Sequence, residues 1–222
     1  MARQSKALIQ LIKVNGQEIN RQTLLRATYI ETIDLSAPSL IAEFIDDRGD
    51  LRDDFGLVEN AKIEVEFGDV TGTSEALFTE TFILSLAPIV NGVIKVEAFS
   101  EFVHNLKEPA AEALFFSDKP IKTVIQKLTG GVRLDCSVFG RGTYHLNHGM
   151  TRSRLLRNIA RDFGGAIWFN RGVLHFHTFE SLMSKVPNLK AGLNTPVADI
   201  QIKGIDVIRD QPLYERVVKK SY

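Results

Sequence analysis

Two Asn-Gly pairs, each set between short apolar stretches, constrain the first hundred residues more than any other feature. Asn15-Gly16 follows the apolar run 8–14, and Asn91-Gly92 lies between the runs 82–86 and 93–99. The two central residues of a tight hairpin turn need positive φ, which glycine adopts freely and asparagine tolerates. Each pair therefore predicts a short turn between antiparallel strands.

Further strands are indicated between these two turns. Runs rich in β-branched and aromatic residues cover 27–35, 40–46 and 62–67. The last run alternates strictly, so its apolar members should face a core while Glu64 and Glu66 face water or a lumen. Six or seven strands at this spacing predict a sandwich or a barrel.

The apolar period changes to that of a helix in the middle of the chain. Residues 120–129 carry a proline in the first turn and an apolar stripe, and Gly130-Gly131 follows as a stop signal. Ser117-Asp118 precedes this segment as the expected cap. A second helix is predicted from a cap at Thr151 or Ser153 to Gly164-Gly165.

The second helix is followed by a further β-hairpin signal. The apolar runs 166–169 and 173–177 flank Asn170-Arg171-Gly172, which predicts a three-residue loop with a left-handed glycine. From residue 196 the sequence alternates again, and we expect this late segment to rejoin the first sheet. The fold class is therefore mainly β with an α+β insertion. We expect residues 1–104 with 196–222 to form the β domain, as a sandwich or a barrel, and 105–195 to form the smaller inserted domain.

Composition and charge exclude several functional classes. The 222 residues carry 27 basic and 27 acidic side chains, which argues against a main partner that is nucleic acid or an anionic membrane. This balance hides an asymmetry, because residues 42–101 carry a local charge of −10 and residues 102–222 one of +8. The change near residue 102 marks a candidate domain boundary. No apolar run is long enough to cross a bilayer and no secretory signal is visible, so we expect no membrane insertion.

The five histidines are the first candidates for chemistry: His104, His145, His148, His175 and His177. His175 and His177 lie two residues apart on a predicted strand, so their rings should project from one face and offer half of a metal site. With His145 and His148, four imidazoles could converge on zinc or another late transition metal. However, the sequence contains no His-Glu-x-x-His helix and no carboxylate at a recognisable ligand spacing. We therefore expect surface histidines and no metal.

Other candidate sites have structural explanations. The acidic stretch 46–54 does not match a calcium-binding loop, and its embedded arginines would compete with a cation, so it predicts a solvated loop. Cys136 lies in a strand-like run without a glycine-flanked elbow, which favours a buried structural thiol. Gly130-Gly131 and Gly140-Arg141-Gly142 lack the residues of a phosphate loop. We expect no catalytic residue and no cofactor.

An arginine-rich face is predicted on the second helix, and it could contact phosphates. Its members are Arg152, Arg154, Arg157 and Arg161. Zero net charge, the acidic first half and the absence of interleaved exposed aromatic residues argue against nucleic-acid binding. Since arginine is also enriched in protein interfaces, a role in assembly is the better interpretation.

Three stretches together carry a resemblance to a known family. Residues 41–69 resemble the opening barrel of phage tail baseplate hub proteins. The segment 115–125, and then 154–165 with the hairpin that follows, look like the α+β part that comes after that barrel. The family includes contractile-tail hubs, late control D proteins and the amino-terminal part of type VI secretion spike proteins.

The resemblance implies a tail-tube-like barrel and a place in an assembly. Such hubs form a ring that joins the tail tube to the central spike and encloses the DNA channel, and typical members are trimers with two barrels per chain. Only one barrel is visible here. We expect a homotrimer rather than a homohexamer, with a second chain supplying the missing barrel, made in the host cytoplasm and located in the virion tail baseplate.

The implied partners are the tail tube or tube-initiator protein, the central spike and other baseplate proteins, with DNA only as passing cargo. An acidic barrel face at Glu64 and Glu66 would repel DNA inside a channel. Two other classes stay open: a virion-associated cell-wall hydrolase or metal-dependent enzyme that uses the histidines, and a nucleic-acid-binding module that uses the arginine helix. Zinc analysis and salt-dependent DNA binding would distinguish them.

Overall fold

The structure is a computed structural model that describes residues 9–68 and 76–185, and the backbone of residues 191–193 and 200–202. The chain divides into two compact units, Met1–Met183 and Ser184–Tyr222. No helix in the described ranges has the length and apolar character that a membrane span requires.

The first half of the larger unit is one antiparallel sheet of eight strands that curls into a half-barrel. Its strands are β1 (Ile9–Val14), β2 (Gln17–Glu18), β3 (Leu24–Ile30), β4 (Ser39–Ile45), β5 (Lys62–Phe67), β6 (Phe78–Leu86), β7 (Ile89–Val90) and β8 (Val93–Ser100). The spatial order is β2-β1-β5-β6-β8-β4-β3, and β7 pairs with β8. A 3-10 turn (Arg21–Thr23) precedes β3, and a short helix α1 (Asp50–Asp53) lies between β4 and β5.

Both Asn-Gly pairs form the predicted hairpin turns. Asn15 and Gly16 have φ of 50° and 84°, and Asn91 and Gly92 have φ of 52° and 72°. Val14 pairs with Gln17 across the first turn and Val90 pairs with Val93 across the second. The positive φ values of both central residues match the twist of the flanking strands.

The sheet buries one face, and the alternation predicted for β5 is confirmed. Ile63, Val65 and Phe67 have no exposed surface. The buried cluster on this face takes residues from β1, β4, β5, β6 and β8, together with Leu51 of α1 and Leu57, and partly buried residues of β3 pack against it. Tyr29, Phe67, Phe78 and Phe82 form a group of ring contacts with centroids 4.5–6.1 Å apart. This cluster is the first core.

The second half of the larger unit mixes helices with small sheets. Its elements are α2 (Glu101–Lys107), β9 (Leu114–Pro120), α3 (Ile121–Leu128), β10 (Arg133–Cys136), β11 (Arg141–Leu146), α4 (Arg152–Asp162), β12 (Gly165–Asn170), β13 (Val173–Thr178) and α5 (Phe179–Met183). Strand β10 is parallel to β13, whereas β12–β13 and β9–β11 are antiparallel pairs. The predicted mixture of α and β structure is confirmed.

Both predicted helices are present, and one predicted cap is wrong. Thr151 caps α4 by accepting a hydrogen bond from the backbone N–H of Arg154. In contrast, Ser117 and Asp118 do not cap α3, because they lie in β9 at the irregularity in its pairing with β11, and Pro120 directly precedes the helix. Strands β9 and β11 were not predicted from the sequence.

The hairpin after α4 has a tighter turn than predicted. Asn170 pairs with Val173, so the loop contains two residues rather than three. Its residues, Arg171 and Gly172, have φ of 48° and 76°, the same left-handed pair as in the two Asn-Gly turns. The glycine is left-handed as expected, and the arginine before it is as well.

The second core also takes residues from the first half of the chain. Leu35 and Ala37, in the loop between β3 and β4, are buried with Val103, Leu106 and the apolar faces of α3 and α4. Leu35 has no exposed surface. The two halves of the sequence therefore share this core.

The smaller unit is described only at two short strands. β14 (Ala191–Leu193) and β15 (Ile200–Ile202) form a parallel pair. The rest of residues 196–222 lies outside the described residues, so the predicted return of this segment to the first sheet stays a prediction.

Candidate functional site

The polar cluster with the most developed geometry lies on the three-stranded sheet of the second half. Asp135 of β10 is the register partner of His175 on β13, and His175 is in turn the partner of Trp168 on β12. His177 follows two residues along β13 and projects from the same face, as the spacing predicts. The opposite face carries Leu174 and other buried residues of the second core.

One carboxylate oxygen joins the two imidazoles. Asp135 Oδ2 lies 3.1 Å from His175 Nδ1 and 3.1 Å from His177 Nε2. The far nitrogens also have partners, since His175 Nε2 is 2.9 Å from Asn170 Oδ1 and His177 Nδ1 is 3.0 Å from Ser137 Oγ. All four ring nitrogens are therefore held by neighbouring side chains.

The cluster is shielded on one side by an indole ring. Trp168 stacks on His175 with ring centroids 5.0 Å apart and an interplanar angle of 11°, and it lies 5.6 Å from the His177 ring. The side chain of His177 is 4% exposed and that of His175 is 22% exposed, whereas that of Asp135 is 54% exposed. The imidazoles are thus held beneath a carboxylate that solvent reaches.

The histidines keep the carboxylate of Asp135 ionised. Partial burial acts to raise the pKa of Asp135, but the hydrogen bonds and charges of His175 and His177 outweigh burial and hold that pKa below its usual range. The carboxylate of Asp135 is therefore ionised across the neutral range, and its Oδ2 is an oxygen ligand atom beside two ring nitrogens. Within the described ranges, it is the one His/Cys/Asp/Glu group arranged closely enough to hold a metal ion.

His145 and His148 do not join this group. His145 is an exposed residue of β11 opposite Phe115, and His148 is exposed in the turn that follows. The convergence of four imidazoles, which the sequence left open as a possibility, therefore does not include these two residues. Sequence reasoning missed Asp135, because its place beside His175 depends on a parallel pairing between strands 40 residues apart.

Three of the four arginines of α4 bind acceptors within the chain. Arg157 Nη2 donates to the carbonyl of Leu35 at 3.0 Å, and Arg152 Nη2 donates to that of Asn105 at 2.7 Å. Arg161 Nη2 donates to Asn158 Oδ1 at 2.7 Å. The first two bonds connect α4 to the loop after β3 and to α2. Arg157 and Arg152 therefore stabilise the packing of α4 within the chain.

The outer face of the half-barrel is less uniformly acidic than the sequence implies. Lys13 Nζ lies 2.9 Å from Glu64 Oε1 and 3.9 Å from Glu66 Oε1. The hydrogen bond from Lys13 to Glu64 and the charge of that carboxylate raise the pKa of Lys13. Neighbouring β1 thus brings a cation to the carboxylates of β5, because the two strands pair antiparallel in register.

Two other sequence candidates have structural roles. Asp46, predicted to lie in a solvated loop, is 7% exposed and accepts hydrogen bonds from the backbone N–H groups of Leu51 and Arg52 in α1. That prediction is wrong for Asp46, because helical N–H groups without partners need an acceptor.

Cys136 is half-buried with its Sγ 3.5 Å from the Val138 carbonyl. Burial raises the pKa of its thiol, which makes it a poor nucleophile.

An apolar groove runs beside the helices of the second half. It measures about 820 Å³ and is lined by Leu35, Ala160, Ile167 and, at its rim, the exposed side chains of Ile33 and Phe179. Ile33 is 71% exposed. Contiguous exposed apolar surface of this kind is typical of protein contact sites.

No family model and no curated protein sequence matches the chain. Solved structures do match it. Prophage tail protein gp18 from Listeria monocytogenes EGD-e aligns with a TM-score of 0.56 at 10% identity over 86% of this chain and 56% of that one. A tail protein from Neisseria meningitidis MC58 gives 0.55 at 17% identity over 86% and 56%.

A third match extends the same group. The 43 kDa tail protein of prophage MuSo2 from Shewanella oneidensis gives a TM-score of 0.55 at 12% identity over 83% of this chain and 58% of that one. The chain spans just over half the length of the tail proteins that it matches. The mainly β fold with an α+β part, predicted from the sequence, is confirmed. This chain has the fold of these phage and prophage tail proteins.

Proposed function

We propose that the chain is a structural, non-catalytic baseplate hub subunit of a phage tail. It forms a ring that joins the tail tube to the central spike and encloses the DNA channel. The observation that carries this proposal is the shared fold with three tail proteins over more than four fifths of this chain. Its place is then the virion tail.

The open edges of the half-barrel support assembly into a ring. Strands β2 and β3 are the two ends of the sheet, and no pairing joins them within the described residues. Edge strands offer backbone N–H and C=O groups to a neighbouring chain. Leu25 on β3 is 54% exposed, which adds apolar surface at that edge. Contacts of each edge with an edge strand of the neighbouring chain, repeated around the axis, close into a ring when the rotation permits.

The groove beside α4 supports a second contact with a neighbour. Ile33 and Phe179 expose apolar surface at its rim, and Arg161 borders it. Arginine and aromatic residues are enriched in protein interfaces. We assign this side to the other partners of the hub, which are the tail tube or tube-initiator protein, the central spike and other baseplate proteins.

The stoichiometry that we propose is a homotrimer rather than a homohexamer. Typical members of the family that the sequence resembles are trimers with two barrels per chain, so a trimer of single half-barrels needs a second chain that contributes a barrel to each subunit. The ring therefore contains two kinds of chain in alternation, and DNA passes through it without being bound.

The test is the solution mass and the negative-stain image of the purified chain, alone and with candidate tube and spike proteins. With the neighbour that supplies the second barrel, we expect rings that contain three copies of this chain around a central hole. Leu25→Asp places a charge on the β3 edge and should shift the mass toward the monomer. Val58→Asp, an exposed loop position away from that edge, is the matched control and should leave the rings intact. A chain that stays monomeric beside its candidate neighbours contradicts the proposal.

A further inference from the structure

The cluster of Asp135, His175 and His177 has the composition of a site for a late first-row divalent cation. Imidazole nitrogen and carboxylate oxygen are the ligands that such ions accept from proteins. The three ligand atoms are His175 Nδ1, His177 Nε2 and Asp135 Oδ2, and all lie within 4.8 Å of one another. Each residue comes from the middle or the end of a strand rather than from a loop, which fixes its direction.

The spacing of these atoms is close to that of bound ligands. Ligands at about 2.0–2.2 Å from a tetrahedral ion lie roughly 3.4 Å from one another. Asp135 Oδ2 is already 3.1 Å from each nitrogen, and the two nitrogens lie within 4.8 Å of each other, so the side chains must rotate to bring all three atoms around the ion. Asp135 is the most exposed member and can make that adjustment, while the backbone of β10 and β13 stays in place.

The outer contacts match those of metal-binding histidines. A ligating imidazole commonly uses its other nitrogen to bond a neighbouring oxygen, which fixes the ring orientation. Here Asn170 Oδ1 faces His175 Nε2 at 2.9 Å and Ser137 Oγ faces His177 Nδ1 at 3.0 Å. His175 therefore lies between two oxygen acceptors. Loss of the proton shared by His175 and Asp135 leaves a ring nitrogen and a carboxylate oxygen facing one another, and these two atoms are a pair of ligands for a cation.

We propose that Asp135, His175 and His177 bind one Zn²⁺ ion per chain, with the fourth ligand position open to water or to a neighbouring subunit. The ion fastens β10 to β13, which are the parallel pair of the three-stranded sheet. This site goes beyond the proposed tail function and does not depend on it, because it can be tested on the isolated chain.

The sequence supplies its own reporter for the test. Trp168 is the single tryptophan and stacks on His175. Chain purified without a histidine tag is titrated with ZnCl₂ in a calorimeter and, separately, with CoCl₂ while tryptophan fluorescence is followed. We expect saturation at one Zn²⁺ per chain, quenching by Co²⁺ that excess Zn²⁺ reverses, and a rise in Tm with zinc.

Variants separate this site from nonspecific binding by histidine. Asp135→Asn and His175→Gln alter partly exposed ligands, so the chain should still fold, and each should weaken zinc binding at least about tenfold. His145→Gln and His148→Gln are the matched controls, because both residues are exposed histidines outside the cluster. They should bind zinc as the unaltered chain does.

Two results would overturn the assignment. One is the absence of saturable zinc binding up to about 1 mM, an affinity too weak to hold an ion in place. The other is zinc binding and Co²⁺ quenching that survive Asp135→Asn and His175→Gln but disappear in the His145 or His148 variants. In either case Asp135, His175 and His177 form a hydrogen-bonded network that does not bind a metal ion.

Discussion

At the scale of single residues, the buried carboxyl group of Glu80 is a titratable group in the core of the half-barrel. Glu80 is 6% exposed on the core face of β6, and Tyr29 Oη donates a hydrogen bond to its Oε2 at 3.0 Å. Burial raises the pKa of Glu80 above its ordinary value, and the same burial with the nearby carboxylate raises the pKa of Tyr29. Burial therefore favours the protonated form of Glu80 over the ionised form.

This arrangement predicts that Glu80→Gln stabilises the chain at neutral pH. Because the pKa is raised in the folded state, the contribution of Glu80 to stability is complete below its unfolded pKa. That contribution is lost as the pH rises through the folded pKa. The variant keeps an acceptor for Tyr29 without a charge, so its free energy of unfolding should exceed that of the unaltered chain by about 1 kcal/mol at pH 8. Near pH 4 the difference should vanish.

Urea unfolding between pH 4 and pH 8 measures this effect. Glu64→Gln is the control, since it removes a carboxylate that is far more exposed and paired with Lys13. That control should bring no gain at pH 8. A Glu80→Gln chain that is no more stable than the unaltered one at pH 8 would show that burial does not dominate at this carboxyl.

The residue scale also shows how far sequence reasoning reaches into the histidine cluster. The two-residue spacing of His175 and His177 is enough to place both rings on one face of a strand. The partnership with Asp135 is not accessible in this way, because it depends on which strands pair. Parallel strands far apart in the chain carry no local signal of their register.

At the scale of elements, the position of α4 depends on a hydrogen bond from its arginine face. Arg157→Ala removes the donor to the Leu35 carbonyl, and we expect it to lower the free energy of unfolding by about 1 kcal/mol. Arg154→Ala, one turn earlier on the same helix, should have a much smaller effect. Equal unfolding midpoints for the two variants in urea would contradict a fastening role for Arg157.

The two Asn-Gly turns offer a second matched pair. Both glycines are left-handed, so alanine at either position strains the backbone by about 1–2 kcal/mol. A Cβ at Gly92 would also collide with the carboxylate of Asp47, whereas one at Gly16 meets nothing within 4 Å. Gly92→Ala should therefore lower the thermal midpoint more than Gly16→Ala. Identical midpoints would show that Asp47 moves aside at no cost.

Elements with strong local signals were the ones that the sequence predicted well. The helices α3 and α4 combine an apolar stripe with a glycine stop, and β5 alternates strictly. In contrast, β9 and β11 contain charged residues and a glycine, and they become strands only by pairing with each other. The capping role assigned to Ser117 and Asp118 failed for the same reason.

At the scale of the whole molecule, the proposed channel makes a prediction about charge. If the outer face of β5 lines the channel, Glu64→Lys with Glu66→Lys should slow DNA release from assembled tails, because lysines attract the phosphate backbone. Glu59→Lys, in the loop before β5, is the control. Release rates are measured on purified virions by dye binding at low and physiological salt. Unchanged release in the double variant would remove β5 from the channel wall.

The fold class of the whole molecule could be predicted from the sequence. The change of apolar period marks where strands give way to helices, and the two cores follow that change. The contribution of Leu35 to the second core cannot be predicted from this change of period, because an apolar residue in a loop could pack into either core. The conformation of the loop between β3 and β4 places Leu35 in the second core, and that loop has no periodic sequence pattern from which its position could be predicted.

The burial of Leu35 has a consequence for the order in which the chain is made. Arg157, which binds the Leu35 carbonyl, is synthesised 122 residues later. At about 5–20 residues per second, that interval lasts roughly 6–24 seconds. The half-barrel, whose core needs nothing beyond Ala98, can close during this time, while Leu35 and Ala37 stay exposed. The nascent chain therefore offers chaperones a defined apolar loop until the second core arrives to cover it.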